Sequence, residues 1–241
     1  MFSSYISEAK EILSSVQKAK QTTITNVDVS AKPWPKDPMQ VILANETAVE
    51  LGSPGTESIS MVLLTADSTL VEDGKVTLIG SDLASCRGDS IAFGKLLFVA
   101  GHGFAEDNWH KRYEEASLSR LSLDLAGCSP RSFPQAMREW MRVSQKGIDN
   151  GFSFDVLARE QYRALHEMEF VDAVETVFIT SGSSDVVRFK DLATRAARAE
   201  RAMDKMAEQL VYNCGDCEFQ DVCDEVDELR KMHESQQDST R

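Results

Sequence analysis

Hydrophobic residues recur along the chain with two periods, one typical of helices and the other of strands. In residues 3–20 the apolar side chains fall on one face at helical spacing, which predicts an amphipathic helix capped by one of its first serines. Residues 22–29 are rich in β-branched side chains and alternate, which predicts a strand. Residues 32–38 hold three of the six prolines and break regular structure. We therefore predict an N-terminal helical arm and linker at 1–38.

Residues 39–184 are predicted to form one core domain. The expected strands are apolar or β-branched runs separated by Gly, Ser, Pro or Asp: Val41–Leu43, Ala48–Leu51, Ile59–Leu64, Val76–Ile79, Ile91–Val99, Met141–Val143 and Val171–Thr180. The expected helices are Ala105–Leu118 and Ser153–Met168. Because strands and helices do not alternate strictly, the pattern favours an α+β fold, with a mixed or antiparallel sheet layered with helices.

Residues 185–241 are predicted to form a helical, metal-binding extension. Asp185–Val211 is rich in good helix formers, and Asp221–His233 carries its acidic residues near its start, where the helix dipole favours them. The polar tail from Glu234 is expected to fray. The arginines of the first helix are predicted to form a solvated face, with an anion site as the alternative: Arg188, Arg195, Arg198 and Arg201.

Three of the five cysteines lie within ten residues, two of them between these helices and the third near the start of the second. Cys214, Cys217 and Cys223 form the pattern C-x2-C-x5-C. Two thiolates separated by two residues can turn toward the same ion, and thiolates at this spacing are typical ligands of zinc and of iron–sulfur clusters. We therefore predict that these three cysteines bind a metal. The spacing does not distinguish zinc from iron–sulfur.

One ligand of this site is left open, because no fourth cysteine follows. The candidates are Cys86, Cys128, His233, a partner protein, or a second copy of the chain across a two-fold axis. A redox C-x-x-C of the thioredoxin type is the competing interpretation. Such motifs usually begin a helix, whose dipole lowers the thiol pKa. Here the pair follows a long helix and has the acidic neighbours Asp216 and Glu218, which raise that pKa.

The charge balance limits the classes of partner. The chain has 26 basic and 39 acidic residues, a formal net charge of −13. Such a surface repels phosphate backbones, so we expect no nucleic-acid ligand and favour a protein partner or a homo-oligomer. The N-terminus lacks the pattern of a signal peptide, and no apolar stretch is long enough to span a bilayer. We therefore expect a cytoplasmic protein without membrane association.

Five segments, in chain order, carry a resemblance to a known family: ELGSP at 50–54, VEDGKVTLIGSDL at 71–83, the hydrophobic and then acidic stretch at 93–114, MRVS with GF at 141–152, and VETVFIT at 174–180. They resemble the ELGGP turn, the EDGKVTVIGPD stretch, a strand and acidic helix, RISK…AGF and QVTIYT of the acetyl-CoA synthase β subunit family. That family belongs to the CO dehydrogenase/acetyl-CoA synthase complex. The collinear set spans about residues 46–223.

The resemblance implies the fold of that family's middle domain and the start of its cluster domain. In the family, four cysteines hold a [4Fe-4S] cluster and a later Cys-Gly-Cys holds nickel. Cys214 and Cys217 match the first pair, and Cys223 falls near the third after a shorter spacer. The fourth cysteine and the Cys-Gly-Cys are absent from this sequence.

We therefore expect a non-catalytic or accessory protein linked to CO dehydrogenase/acetyl-CoA synthase one-carbon metabolism. Its expected cofactor is a [4Fe-4S] cluster, with zinc as the alternative. The expected partners are that complex or a corrinoid protein. The alternative function is an enzyme of acetyl, CoA or corrinoid-linked chemistry whose site is completed by oligomerisation or by a partner.

Overall fold

The computed structural model describes residues 2–86, 89–105, 108–119, 123–132, 137–208 and 218–225. Its helices are α1 (Ser3–Gln17), α2 (Trp109–Leu118), α3 (Gln145–Asp149), α4 (Phe154–His166), α5 (Ser183–Val187), α6 (Lys190–Glu208) and α7 (Gln220–Glu225). Its strands are β1 (Thr22–Asn26), β2 (Thr47–Leu51), β3 (Ser58–Thr65), β4 (Lys75–Ile79), β5 (Asp89–Ile91), β6 (Phe93–Gly101), β7 (Cys128–Ser132), β8 (Trp140–Ser144) and β9 (Val171–Ile179).

The described strands form two sheets. The main sheet has the order β1-β4-β9-β6-β3, and the second has the order β5-β2-β8-β7. In the main sheet, β4 pairs with β9 and β3 with β6 in parallel, whereas β1–β4 and β6–β9 are antiparallel. In the second sheet β2 and β5 are parallel and the other pairs antiparallel. The expected α+β fold with mixed sheets layered with helices is confirmed.

A first hydrophobic core lies between the main sheet and a group of helices. Helices α1, α2, α5 and α6 all contact β3, and α6 also contacts α1 and α2. Strands β3 and β6 are buried along their whole length. This explains why their sequences are almost continuously apolar rather than alternating, as expected for strands covered on both faces.

A second hydrophobic core contains side chains from both sheets. Helix α4 packs on β9 and β4, and its Phe154 stacks with Phe178 of β9 and Phe93 of β6, at ring-centroid distances of 4.7 and 5.9 Å. All three rings are fully buried. Burying each such side chain stabilises the fold by about 1.5–3 kcal/mol. Because the three rings come from α4, β9 and β6, this aromatic stack joins the second core to the main sheet.

The N-terminal segment contributes to the main sheet and to the first core. Helix α1 begins at Ser3 without a side-chain cap, contrary to the expected serine cap. Its buried face is the predicted one: Tyr5, Ile6, Ala9, Leu13 and Val16. Strand β1 then pairs antiparallel with β4. The division into arm, core domain and extension stays a prediction.

One predicted strand is wrong, and several elements were not predicted. Val41–Leu43 is extended but joins no sheet in the described structure, because Val41 and Leu43 point into solvent together with Met39 while Ile42 is buried. The unpredicted elements are β5, which is three residues long, β7, which contains a proline, and the short α3. The predicted helix at 185–211 is divided into α5 and α6 by a turn at the buried Phe189.

A charged pair is buried beside the outer edge of β3. Lys95 of β6 donates to Glu139 at 2.6 Å, and both side chains are less than a tenth exposed. Ser60 of β3 also donates to the Glu139 carboxylate, at 2.6 Å, and Ser58 donates to its main-chain oxygen. Because the two opposite charges are buried together and hydrogen-bonded, each offsets part of the desolvation cost of the other.

Candidate metal centre

Helix α7 packs antiparallel to the C-terminal part of α6. Three contacts establish the direction, because their residue numbers rise along one helix as they fall along the other. Arg195 lies 3.4 Å from Glu225, Arg198 2.5 Å from Asp221, and Lys205 3.2 Å from Glu218. The two helices form a hairpin, and residues 209–217 connect them. We call α6 and α7 together the cysteine hairpin.

Helix α7 is also anchored by apolar side chains. Phe219, just before it, is 8% exposed, and Val222 is 1% exposed. Both belong to the first core, with side chains of α1 and α6. The ammonium of Lys205 lies 5.3 Å from the ring centre of Phe219, a cation–π contact. The cysteine hairpin is therefore packed on the core.

A polar network ties the cysteine hairpin to α1. The hydroxyl of Tyr5 donates to Glu225 at 2.9 Å. Arg195 of α6 lies over the Tyr5 ring, 5.2 Å from its centre, and binds Glu8 at 2.5 Å. Burial raises the pKa of Tyr5 well above its usual range, and the bond to Glu225 adds to this rise. Arg195 and Arg198, predicted to belong to a solvated face, instead hold α1, α6 and α7 together, whereas Arg201 is exposed and donates to the main-chain oxygen of Ala197 in α6.

Two of the predicted metal ligands follow α6 in the sequence, and the third belongs to α7. Cys214 and Cys217 fall in 209–217, outside the described residues, and so does His233. Cys223 lies on α7, where the backbone alone is described. The contact of Lys205 with Glu218 places the last turns of α6 next to the residue that follows Cys217. The described side chains contain no group of three or more His, Cys, Asp or Glu that could hold a metal ion.

The two other cysteines are buried in the second core, whereas α7 belongs to the first. Cys128 begins β7. Burial raises the pKa of Cys128 to about 12, and the negative charge of Glu139 adds to the rise. Since metals bind the thiolate, this side chain is a poor ligand. Cys86 follows a 3-10 turn at Leu83–Ser85 and is buried too.

Arginine side chains flank a tryptophan on the second sheet. The guanidinium carbons of Arg131 and Arg142 each lie 5.8 Å from the ring centre of Trp140. Arg142 is held by Glu50 at 2.6 Å. The indole nitrogen of Trp140 is buried and has no hydrogen-bond partner among the described residues. In a chain with net charge −13, this arginine–tryptophan patch is a local concentration of positive charge. We did not predict it, although R-x6-R-x-W-x-R in the sequence is a signal.

A groove lies between the linker and α3. Two adjoining cavities, of about 660 and 310 Å³, share the lining residues Asp37, Gln40, Ser144, Lys146 and Asn150. The larger one also borders the exposed Met39 and Val41, and the smaller one Trp34. Its walls mix apolar side chains with both signs of charge, so their chemistry does not select one ligand class.

Comparison with known proteins identifies the core. Residues 39–185, more than half of the chain, match the family described as CO dehydrogenase/acetyl-CoA synthase complex beta subunit. The chain belongs to this family. The match begins after β1 and ends in α5, so the family's sequence pattern covers both sheets except β1, and not the cysteine hairpin. No curated protein matches the chain.

The helices also bear on membrane association. Among the described residues, no helix of this beta-subunit family member is both long enough and apolar enough to cross a bilayer.

Proposed function

We propose that this chain is an accessory, metal-binding member of the CO dehydrogenase/acetyl-CoA synthase beta subunit family. Cys214, Cys217 and Cys223 would hold an iron–sulfur cluster, with zinc as the alternative. The observation that carries the proposal is the cysteine hairpin. Helix α6 precedes the C-x2-C segment in the sequence, and α7 follows it and is fixed against α6 and α1. A fixed pair of flanking helices limits the positions that three thiolates can take, which favours binding of one centre.

The residues fit the group by their chemistry. Three thiols in C-x2-C-x5-C suit iron–sulfur clusters and zinc alike, and a fourth ligand would come from a partner or a second copy. A bound cluster would supply one-electron transfer, whereas zinc would supply structural cross-linking alone. The described residues would position the site: Arg198 and Val222 hold α7, and Lys205 holds the residue after Cys217.

Metal analysis of anaerobically purified protein tests this proposal. We expect iron and sulfide in stoichiometric amounts with broad visible absorbance, or tightly held zinc without colour. Cys217→Ala should lose that metal, and Cys86→Ala, which removes a thiol in the other core, should keep it. Equal metal content in wild type and Cys217→Ala would rule out the site. One nickel per chain with acetyl-exchange activity would overturn the accessory role.

The proposed partners follow from the family name and from charge. The family is a subunit of a multiprotein complex, and an acidic chain of net charge −13 suits a protein partner with a basic surface. We propose the CO dehydrogenase/acetyl-CoA synthase system or its corrinoid protein, in the cytoplasm. Sedimentation of mixtures at low and high salt checks this, because binding through charge weakens as salt rises.

A second candidate function rests on the arginine–tryptophan patch. The positions of Arg131 and Arg142 around Trp140 suit a ligand with an anionic group and a planar ring, such as CoA. In this reading the chain is an enzyme of acetyl or CoA chemistry completed by a partner or by oligomerisation. Calorimetric titration with CoA should show binding that weakens in Arg131→Ala and stays unchanged in Arg201→Ala, on exposed α6 surface. Absence of binding to wild type removes this candidate.

A further inference from the structure

Strand β1 is an open edge of the main sheet. It stands at the end of the strand order and pairs with β4 alone. Its sequence, Thr-Thr-Ile-Thr-Asn, contains no charge and no proline, and Ile24 in its middle is 58% exposed. Natural proteins usually protect such edges with lysine, proline or a bulge, because unpaired main-chain groups bind other strands. At the opposite edge, the main-chain N–H of Ser60 on β3 donates to Met137, and the Ser58 hydroxyl donates to the main-chain oxygen of Glu139.

The hydrogen bonds to β4 determine which groups of β1 face outward. Gly80 donates its N–H to the oxygen of Gln21 at 2.9 Å, and Val27 donates to the oxygen of Gly74 at 2.8 Å. In an antiparallel pair the bonded residues alternate. Residues 21, 23, 25 and 27 therefore face β4. The N–H and C=O groups of Thr22, Ile24 and Asn26 point away from the sheet and meet no other strand within the described structure.

These outward groups match a second copy of themselves. We propose that β1 pairs antiparallel with β1 of a second copy of this chain, on a two-fold axis that passes between the two Ile24 residues. In this register Ile24 bonds to Ile24 of the other copy through two hydrogen bonds, and Thr22 and Asn26 bond to each other reciprocally at both ends. An isologous contact satisfies every outward group of the strand, and the two five-stranded sheets become one ten-stranded sheet.

The residues that flank β1 favour this register. Lys20 precedes the strand and Asp28 follows it, so the two-fold axis places each Lys20 opposite Asp28 of the other copy. Lys20 lies 3.3 Å from Asp185 and its side chain is 38% exposed. Asp28 is exposed and accepts two bonds from Ser30 on Oδ1. Opposite charges across the strands stabilise the pair, and a parallel arrangement would lose them.

The oligomeric state tests the proposal directly. By sedimentation or light scattering, wild type should have twice the 26.8 kDa of one chain at micromolar concentration. Ile24→Lys places two ammonium groups opposite each other, and we expect the dissociation constant of the dimer to rise at least about tenfold. Leu118→Lys, at an equally exposed apolar position on α2, should leave the dimer unchanged. A monomeric wild type, or an Ile24→Lys variant with an unchanged dissociation constant, overturns the proposal.

A cross-link tests the register. Bonded residues of antiparallel strands have Cα atoms about 5.5 Å apart, within the range of a disulfide. Ile24→Cys should therefore form a covalent dimer on mild oxidation, above the level of wild type, whereas Thr25→Cys, opposite Thr23 of the other copy, should form much less. Equal cross-linking of the two variants would contradict the register. Neither substitution touches the cysteine hairpin, so metal content should stay constant, and failure here leaves the proposed function standing.

Discussion

The guanidinium of Arg198 binds the carboxylate of Asp221 through two parallel hydrogen bonds, of 2.5 and 2.7 Å. This bidentate pair connects α6 to α7, and a third bond from Arg198 reaches the main-chain oxygen of Glu218 at 3.1 Å. The hydrogen bonds from Arg198 lower the pKa of Asp221. The pair is thus one of the polar contacts that hold α7 in place, with those of Tyr5 and Arg195 to Glu225.

Replacement of Asp221 by Asn should loosen α7 without unfolding the core. One strong acceptor of Arg198 is lost, so we expect amide hydrogen exchange at residues 218–225 to accelerate while that of β6 and β9 stays slow. In wild type, the same loosening should occur as the pH falls through the lowered pKa of Asp221, because its charged form stabilises the folded hairpin. Glu114→Gln, on the exposed surface of α2, is the control. Equal exchange in all three proteins would show that the pair has no structural role.

Metal binding should stabilise the cysteine hairpin locally. In Cys217→Ala we expect faster exchange at residues 218–225, because a ligand that bridges the connection to α7 is lost. The melting temperature of the core should change little, since the aromatic stack of Phe93, Phe154 and Phe178 lies in the other core. Calorimetry with hydrogen exchange measures both quantities. A large fall in the melting temperature would mean that the metal supports the whole fold.

Removal of one charge from the buried pair Lys95–Glu139 should lower the free energy of unfolding. Lys95→Met leaves the carboxylate of Glu139 buried without its ammonium, and we expect a loss of about 3–5 kcal/mol in the free energy of unfolding. The double variant Lys95→Met/Glu139→Gln removes both charges and should recover a large part of that loss. Urea unfolding of the two single variants and the double variant gives the coupling energy. Additive losses would show that the two side chains do not interact.

Cys128 should weaken the fold at alkaline pH. Burial raises its pKa to about 12 in the folded protein, against about 8.5 when unfolded. Below pH 8.5 both states carry the neutral thiol and stability is unaffected. Between the two values only the unfolded state ionises, so stability should fall by about 1.4 kcal/mol per pH unit. Relative to wild type, Cys128→Ala should lose this slope. Urea unfolding from pH 7 to 10.5 measures it, and parallel curves for the two proteins would refute the assignment.

The fold was predictable where one physical effect dominates. Strands β3, β6 and β9 are buried along almost their whole length, so their apolar sequences identify them. Residues 41–43 have the same local pattern, but they lie beside the sheet and expose Val41 and Leu43. Strand β7 has the polar sequence Cys-Ser-Pro-Arg-Ser, and its pairing with β8 arises from tertiary context rather than from propensity.

The cysteine spacing predicts the ligands of the candidate site, which stay a prediction, but it does not predict the contacts that support the site. The spacing of Cys214, Cys217 and Cys223 is a local signal, whereas the contacts that fix α7 join residues far apart in sequence. Tyr5 and Glu225 are separated by 220 positions, and Arg195 and Glu8 by 187. Charges on a helix surface look the same in sequence whether they face solvent or a carboxylate on another helix.

The burial of α1 has a consequence for any fragment cut at the limits of the family match. Phe2, Tyr5 and Ile6 are fully enclosed by the first core, and the ring centre of Phe2 lies 5.4 Å from that of Tyr113 on α2. A fragment of residues 39–185 would keep β3 and β6. It would expose to solvent the apolar face that α1 covers, and it would leave the edge of β4 that pairs with β1 without a partner strand. The limits of the family match therefore differ from the limits of the segment that we expect to fold by itself. Fragments that begin at residue 39 should aggregate, and chains that begin at residue 1 should not.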